Sequence, residues 1–463
     1  MDDKNQIFRN LPQVEKLLQS EEVFPFIAEI GRAAVGEICR AVLAEARGVV
    51  EREGSIDLSG IVPSIAARCR LKKMHRIQRV INGTGVVIHT NLGRAPLSPE
   101  ILGRLAAEMS GYCNLELDLP RQKRGSRGGF SEELICTMTG SEDALLVNNN
   151  ASSVFLILSE LAAGKEVVVS RGELVQIGGG FRLPDIMRQS GARLVEAGTT
   201  NITTVADYRA AMTGNTAMIF SCHRSNFTMQ GFIGSPRLAE LAALKNDSVI
   251  FVRDLGSGNM APDQGLPRPF EPTVRYELEQ GPDLVCFSGD KLLGGCQAGI
   301  IVGRKELVAR LRKNPLMRMI RPDKLTYFIL QETLLRYVNG EANEISSWRI
   351  MTQGEKEIAT RINRFMRIIK HPEKARFVSR TGTMSTVGGG AMPGYRLESR
   401  GVRIQVPGRG ADDVYASLLA APVPVVGIIA DGAFILDFRT ILDPDVPAAA
   451  AAVDALLAGG SGR

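Results

Sequence analysis

The chain has 463 residues, 44% of them hydrophobic and 23% charged, and carries a formal net charge of +6. This composition buries a sizeable core and excludes a disordered chain, and the length suits roughly three domains. The mild positive excess permits a nucleic-acid partner without demanding one.

The first residues, MDDKNQIFRNLPQVEKLL, are charged and lack the apolar segment of a signal peptide, and no run is apolar for long enough to span a bilayer. The expectation is a soluble, cytoplasmic protein with no membrane partner. Seven scattered cysteines form no CxxC pair, and none of the four histidines lies near such a pair. Reduced thiols are the simple reading, rather than a disulfide framework or a zinc site. From residue 11 to about 80 the pattern is helical, with Val35, Ile38, Val42, Ala46 and Val49 on one face. This helical module, residues 1–79, ends in RCRLKKMHRIQRV, and no Asp or Glu occurs from Leu58 through Pro99. A solvated basic helix face accounts for that run on charge alone. Its place at the end of a separate module makes nucleic-acid binding a serious rival.

Over residues 80–335 short apolar runs alternate with helical stretches: ALLVNNN, EVVVSRGE, ARLVEAG, AMIFSCHR, SVIFVRDLG and DLVCFSGD. This predicts an α/β domain with a mostly parallel sheet covered on both faces. Ligands of such sheets bind beyond the carboxyl ends of the strands. Residues 336–463 read as a smaller α+β domain. It has an amphipathic helix in EKEIATRINRFMRIIKH, strands in YRLESRGVRIQVPG and VVGIIADGAFILDFRTI, an Asp431-Gly432 hairpin signal, and a closing alanine-rich helix.

Four features fall at strand ends. In VNNNASSVFL, Ser152 and Ser153 stand at a helix start after a strand, where N–H groups and hydroxyls bind phosphate, although such serines are usually only caps. Asp254 ends the strand in FVRDLGSGN, where a carboxylate keeps a heteroaromatic nitrogen protonated or simply caps a turn. His223 follows AMIFSC and either stacks on a flat ring or sits hydrogen-bonded in the core. In FSGDKLLGG, Lys291 lies in an apolar, glycine-rich turn, three residues after Ser288. A buried lysine is tolerated there if it is bound covalently through an imine. In this order the features describe a pyridoxal 5′-phosphate site. Ser152, Ser153 and Ser288 take the phosphate, Asp254 the ring nitrogen and Lys291 the aldehyde.

The blocks INGTGVVIHTNLGRAPL, SRGELVQIGGGFRLPDIM, SNFTMQGF and FSGDKLLGGCQAGIIVG resemble those of the bacterial selenocysteine synthases, the L-seryl-tRNA(Sec) selenium transferases, and the similarity runs over nearly the whole chain. The resemblance implies a fold-type I pyridoxal phosphate transferase. It would convert seryl-tRNA(Sec) to selenocysteinyl-tRNA(Sec) with selenophosphate, through a cofactor-bound aminoacrylyl-tRNA. It further implies that the N-terminal domain binds tRNA(Sec) and that subunits assemble as a ring of dimers, commonly a homodecamer. Arg94, Arg318 and Arg321 match arginines that bind the selenophosphate-like anion, and Asp290 matches an acidic residue with a part in the second half-reaction. Three other readings stay open. One is a pyridoxal-dependent lyase on a small amino acid or amino sugar phosphate. Another is a cystathionine-type enzyme gripping a free carboxylate through Arg403 or Arg409. The third is a non-catalytic tRNA-binding relative.

Overall fold

The computed structural model describes residues 2–261 and 271–459. Five helices come first: α1 Asp2–Asn10, α2 Val14–Leu18, α3 Pro25–Ile30, α4 Arg32–Glu53 and α5 Ile61–Met74. Along α4, Val35, Cys39, Val42, Leu43 and Ala46 recur every three or four residues and are buried. They close a core of their own against Leu17, Leu18 and Phe26 and against Ile61, Ile65 and Cys69 of α5. Each fully buried Val, Leu or Ile there contributes about 1.5–3 kcal/mol. Ile38 and Val49, read from periodicity onto this face, flank it and are only partly buried. Gly54, at φ +76°, closes α4 with its N–H on the Val50 carbonyl.

The basic run divides in two. Arg68 pairs with Glu45 and Lys73 with Glu29, both within the helical module. Arg70, Lys72 and Arg76 are exposed. Among the described residues none of these three makes an ion pair.

The central sheet has seven strands: β1 Asp143–Val147, β2 Glu166–Ser170, β3 Arg193–Ala197, β4 Thr216–Cys222, β5 Ile250–Gly256, β6 Leu284–Ser288 and β7 Gly299–Gly303. Their order is β1-β7-β6-β5-β4-β2-β3. Only β7 runs against its neighbours, while β6, β5, β4, β2 and β3 are mutually parallel. The strands read as continuous apolar runs because both faces are covered. Leu145, Val169, Phe220, Val252 and Ile301 enter one core, and Leu146, Leu255, Val285, Phe287 and Ile300 enter the other.

The C-terminal unit is an antiparallel sheet of β8 Val378–Thr386, β9 Arg396–Ile404, β10 Ile428–Ala430 and β11 Ala433–Asp437, in the order β8-β9-β11-β10. Asp431 and Gly432 both have positive φ, +49° and +69°, as a two-residue primed hairpin turn requires. β8 carries no clear apolar alternation and was not foreseen from VSRTGTMST; its pairing with β9 creates it. Residues 81–88 also depart from the sequence reading, which placed them in the large domain. Ile81 and Asn82 pair with Val425 and Val426, and the N–H groups of Val87 and Ile88 bond Thr386 and Val387. The chain is thus sewn into the C-terminal unit before it enters the large one. The helix Lys324–Val338 runs across the boundary expected at residue 335. No described helix is long and apolar enough to cross a membrane.

Candidate active site

β4, β5 and β6 are adjacent and parallel, so their carboxyl ends deliver His223, Asp254 and Lys291 to one edge of the sheet. There they line a chamber of about 240 Å³ together with Arg94, Ser225 and Ser288. Lys291 is 5% exposed and Asp254 6%. Burial lowers the lysine's proton affinity, with Arg94 adding to it, against the pull of Asp254 and Asp290. Burial likewise raises that of Asp254. The room around the amine depends on glycine. A Cβ on Gly390 would lie 3.1 Å from Lys291 Nζ, and one on Gly256 3.7 Å from it. Both glycines have φ near +70°, which disfavours any side chain. Gly390 comes from the loop between β8 and β9, so the C-terminal unit supplies one wall.

The Asp254 carboxylate is held from the side. Asn150 Nδ2 donates to its Oδ1 at 2.9 Å, and the Cys222 thiol lies 4.0 Å from Oδ2. Cys222 and Cys286 are its register partners on the two flanking strands. Asn150 opens the helix Asn150–Leu161, whose N-cap Asn149 accepts from the Ser152 N–H at 2.8 Å. This cap decides where the two serines go. Ser152 falls in the first turn, while Ser153, one residue further, faces the sheet. Ser153 is fully buried, and its Oγ lies where a Cβ on Gly299 would come within 2.3 Å. The chamber is lined at this end by Asn149, Asn150 and Ala151, and by neither Ser152 nor Ser153.

His223 lines the chamber edge-bound rather than free. Its Nδ1 lies 3.4 Å from an Arg253 guanidinium nitrogen and its Nε2 2.9 Å from Glu271 Oε1. Arg253 only donates, so Nδ1 accepts from it, while Nε2 and Glu271 Oε1 approach each other without hydrogen-bond geometry. Arg253 is itself buried, and is held by Glu277 at 2.6 Å and by Ser221 at 2.8 Å.

Arg94 and Asp290 meet: the guanidinium donates to both carboxylate oxygens, at 3.0 and 2.9 Å. Arg318 and Arg321 are not brought to this chamber within one chain. Arg318 is exposed on the short helix Met317–Ile320, and Arg321 is the extended residue that ends it, so the two do not share a helical face. Arg321 lies 3.4 Å from Glu116. Both flank the β1 turn, where the Asn148 N–H bonds the Ile320 carbonyl. Arg403 reaches the carbonyl of Asp431 and Arg409 the hydroxyl of Ser417, both in the C-terminal unit and outside the chamber lining. Sequence reasoning missed Ser225, Asn226, Gln297 and Gly390. Ser225 and Asn226 lie just past the β4 end, but Gly390 arrives only through domain packing.

The residues present suit pyridoxal phosphate. A buried lysine with lowered proton affinity faces the chamber beside a buried carboxylate. Asn150 Oδ1 is buried without a partner. The glycines leave a slot where side chains would collide. Set at the carboxyl edge of this mixed, mostly parallel sheet, they define the class: a fold-type I pyridoxal phosphate enzyme. Among solved structures, D-glucosaminate-6-phosphate ammonia-lyase shares the fold, with a TM-score of 0.58 at 19% identity over 83% of this chain and 97% of that one. Residues 80–442 match the family described as L-seryl-tRNA selenium transferase, and residues 8–47 match the one described as selenocysteine synthase N terminal. The L-seryl-tRNA(Sec) selenium transferase of Geobacter sulfurreducens is 43% identical over 96% of this chain and 98% of its own length. That of Geotalea uraniireducens is 44% identical over 97% and 99%. The chain belongs to the L-seryl-tRNA selenium transferase family. Its chemistry is selenocysteine synthesis on a seryl-tRNA, with pyridoxal phosphate as cofactor.

Proposed function

We propose that this chain converts seryl-tRNA(Sec) to selenocysteinyl-tRNA(Sec) in the cytoplasm, with selenophosphate as donor, as an oligomeric ring of dimers. The observation that carries the reading is the buried Lys291 sharing with Asp254 a chamber that Arg94 also lines. When bound, pyridoxal phosphate supplies an electron sink for the bond broken at the substrate α-carbon.

Lys291 would hold the cofactor through its side-chain amine, which the serine amine of the substrate would set free. The freed amine then removes the α-proton. Its lowered proton affinity leaves more of it neutral and able to act as base. Asp254, steadied by Asn150, keeps the ring nitrogen protonated. The α-C–H electrons form a Cα–Cβ double bond as the β-hydroxyl leaves as water with the proton that Lys291 took from Cα. Selenium then adds to the β-carbon, its proton passing through Lys291 to Cα, and water cleaves the Se–P bond, its hydroxyl leaving with the phosphate and its proton staying on selenium. Asn149–Ala151 and Ser288, which line the chamber, would take the cofactor phosphate together with Ser152 in the first helical turn, and Ser153 backs the helix start against β7.

Arg94 receives the selenophosphate anion in exchange for Asp290, since guanidinium forks match such oxyanions. Arg318 and Arg321 complete the clamp from a neighbouring subunit: Arg318 is exposed in the single chain, and Arg321, half-buried beside Glu116, would exchange that partner for the anion. The exposed Arg70 and Lys72 of α5 contact the tRNA body. The test is incubation of the protein with seryl-tRNA(Sec) and selenophosphate, followed by deacylation and identification of the amino acid. Recovery of serine alone, or of pyruvate, rejects the reading.

A further inference from the structure

Outside the Lys291 chamber lies a larger cleft of about 680 Å³, within the range of ligand sites. Its walls come from three parts of the chain: the segment after α5, with Arg76, Ile77 and Gln78; the loop His89–Arg94; and the C-terminal unit. Among the described residues Arg94 alone lines both the cleft and the chamber. The loop between them is closed on itself, with the N–H groups of Leu92 and Arg94 both on the His89 carbonyl, at 3.0 and 2.9 Å. This folding puts Arg94 at φ +65°, a strained conformation for a side-chain-bearing residue. The Arg94 guanidinium, paired with Asp290, stands where the two spaces meet.

The lining has the chemistry of a nucleotide site. Arg76, Arg79 and Arg94 face it against the single carboxylate of Asp445, which pairs with Arg79. Arg76 is exposed. The Nδ1 of His89 is buried without a partner. Ile77 is fully exposed and offers an apolar surface beside the cations. Arginines both neutralise phosphates and offer flat guanidinium planes on which unpaired bases stack.

We infer that this cleft seats the 3′-terminal nucleotides of the acylated tRNA, so that the esterified serine passes Arg94 into the chamber while the nucleotides stay outside. The inference rests on the proposed function and adds to it a binding site distinct from the basic helix.

A cycle between protein and RNA tests it. Affinity is measured for full-length tRNA(Sec) and for the same tRNA lacking its last three nucleotides, on wild type, Arg76→Ala and Gln78→Trp, the last of which fills the cleft. Both variants should weaken full-length tRNA about tenfold, the loss expected for one charge-assisted phosphate contact, and should leave the truncated tRNA and the cofactor absorbance unchanged. Equal weakening of both tRNAs means that Arg76 meets the tRNA body, and overturns the inference. So does unchanged affinity for full-length tRNA, including the case where Gln78→Trp alters only the oligomeric state because a second copy of the chain fills the cleft. Failure of wild type to bind either tRNA instead removes the proposed function itself.

Discussion

Replacing Asn150 by alanine removes the 2.9 Å hydrogen bond to Asp254 Oδ1. The carboxylate keeps the Gly256 backbone N–H and the weak thiol donors of Cys222, 4.0 Å from Oδ2, and Cys286. A hydrogen bond to a charged group contributes about 1.5–3 kcal/mol, and each ~1.4 kcal/mol is tenfold in a binding constant. Burial already raises the proton affinity of Asp254 and the Asn150 bond opposes that rise, so the substitution raises it further. A neutral carboxyl no longer holds a protonated ring nitrogen. The expected outcome is cofactor bound about 10-fold to 100-fold more weakly, with an altered absorbance spectrum, while the thermal unfolding of the cofactor-free protein moves little. Asn150→Asp should be worse, since it sets two carboxylates side by side. The assay is titration of cofactor-free protein with pyridoxal phosphate, followed by absorbance and fluorescence. Wild-type affinity and spectrum in Asn150→Ala would show that Asp254 is positioned by its strand alone.

Borohydride treatment of the cofactor-loaded protein should fix the cofactor to Lys291, and peptide mapping that finds it on another lysine removes the assignment. In cofactor-free protein burial depresses the Lys291 proton affinity below that of an ordinary lysine, so its folded pKa lies under its unfolded one. The stability tied to it is present above about pH 10 and is lost as pH falls through the folded value. Lys291→Met should therefore raise the neutral-pH melting temperature of the cofactor-free protein and flatten its rise toward alkaline pH, as read by thermal scans over that range. Neutralising Arg70, Lys72 and Arg76 together should weaken tRNA binding and reduce its salt dependence by a slope of roughly 0.7 to 0.9 per lost phosphate contact. An unchanged slope makes them a solvated face. Arg321→Ala should still dehydrate the seryl group but take up selenium about 10-fold to 100-fold more slowly in a selenophosphate chase, and Arg321→Lys should recover only part of that rate. Equal chase rates place the anion site elsewhere.

Local chemistry made much of the site legible. Apolar runs ending in Asp254 and in the Ser288–Lys291 turn carry their own strand-end signal, because a strand's direction fixes which end meets the ligand. The two-residue turn at Asp431 and Gly432 was equally local, since only a few residue types tolerate positive φ twice in succession. β8 was not legible, because its register with β9 and not its own pattern makes it a strand.

The sequence by itself determined the strand–helix alternation, the separate helical module, the lysine and aspartate of the site, and the likeness to a selenium transferase. Tertiary structure decided which of the candidate groups meet. It set Asn150 against Asp254 and Gly390 against Lys291, and it paired Arg94 with Asp290. It turned Ser153 toward the sheet and left Arg318 and Arg321 outside the chamber. It also routed residues 81–88 through the C-terminal unit, which is what opens a cleft beside the active chamber. The physical reason is range. Periodicity, caps and turns act over a few residues and can be read in a line. Contacts between residues 94 and 290, or 291 and 390, depend on how separately stable units pack, and that packing is set by their combined surfaces rather than by any short stretch of sequence.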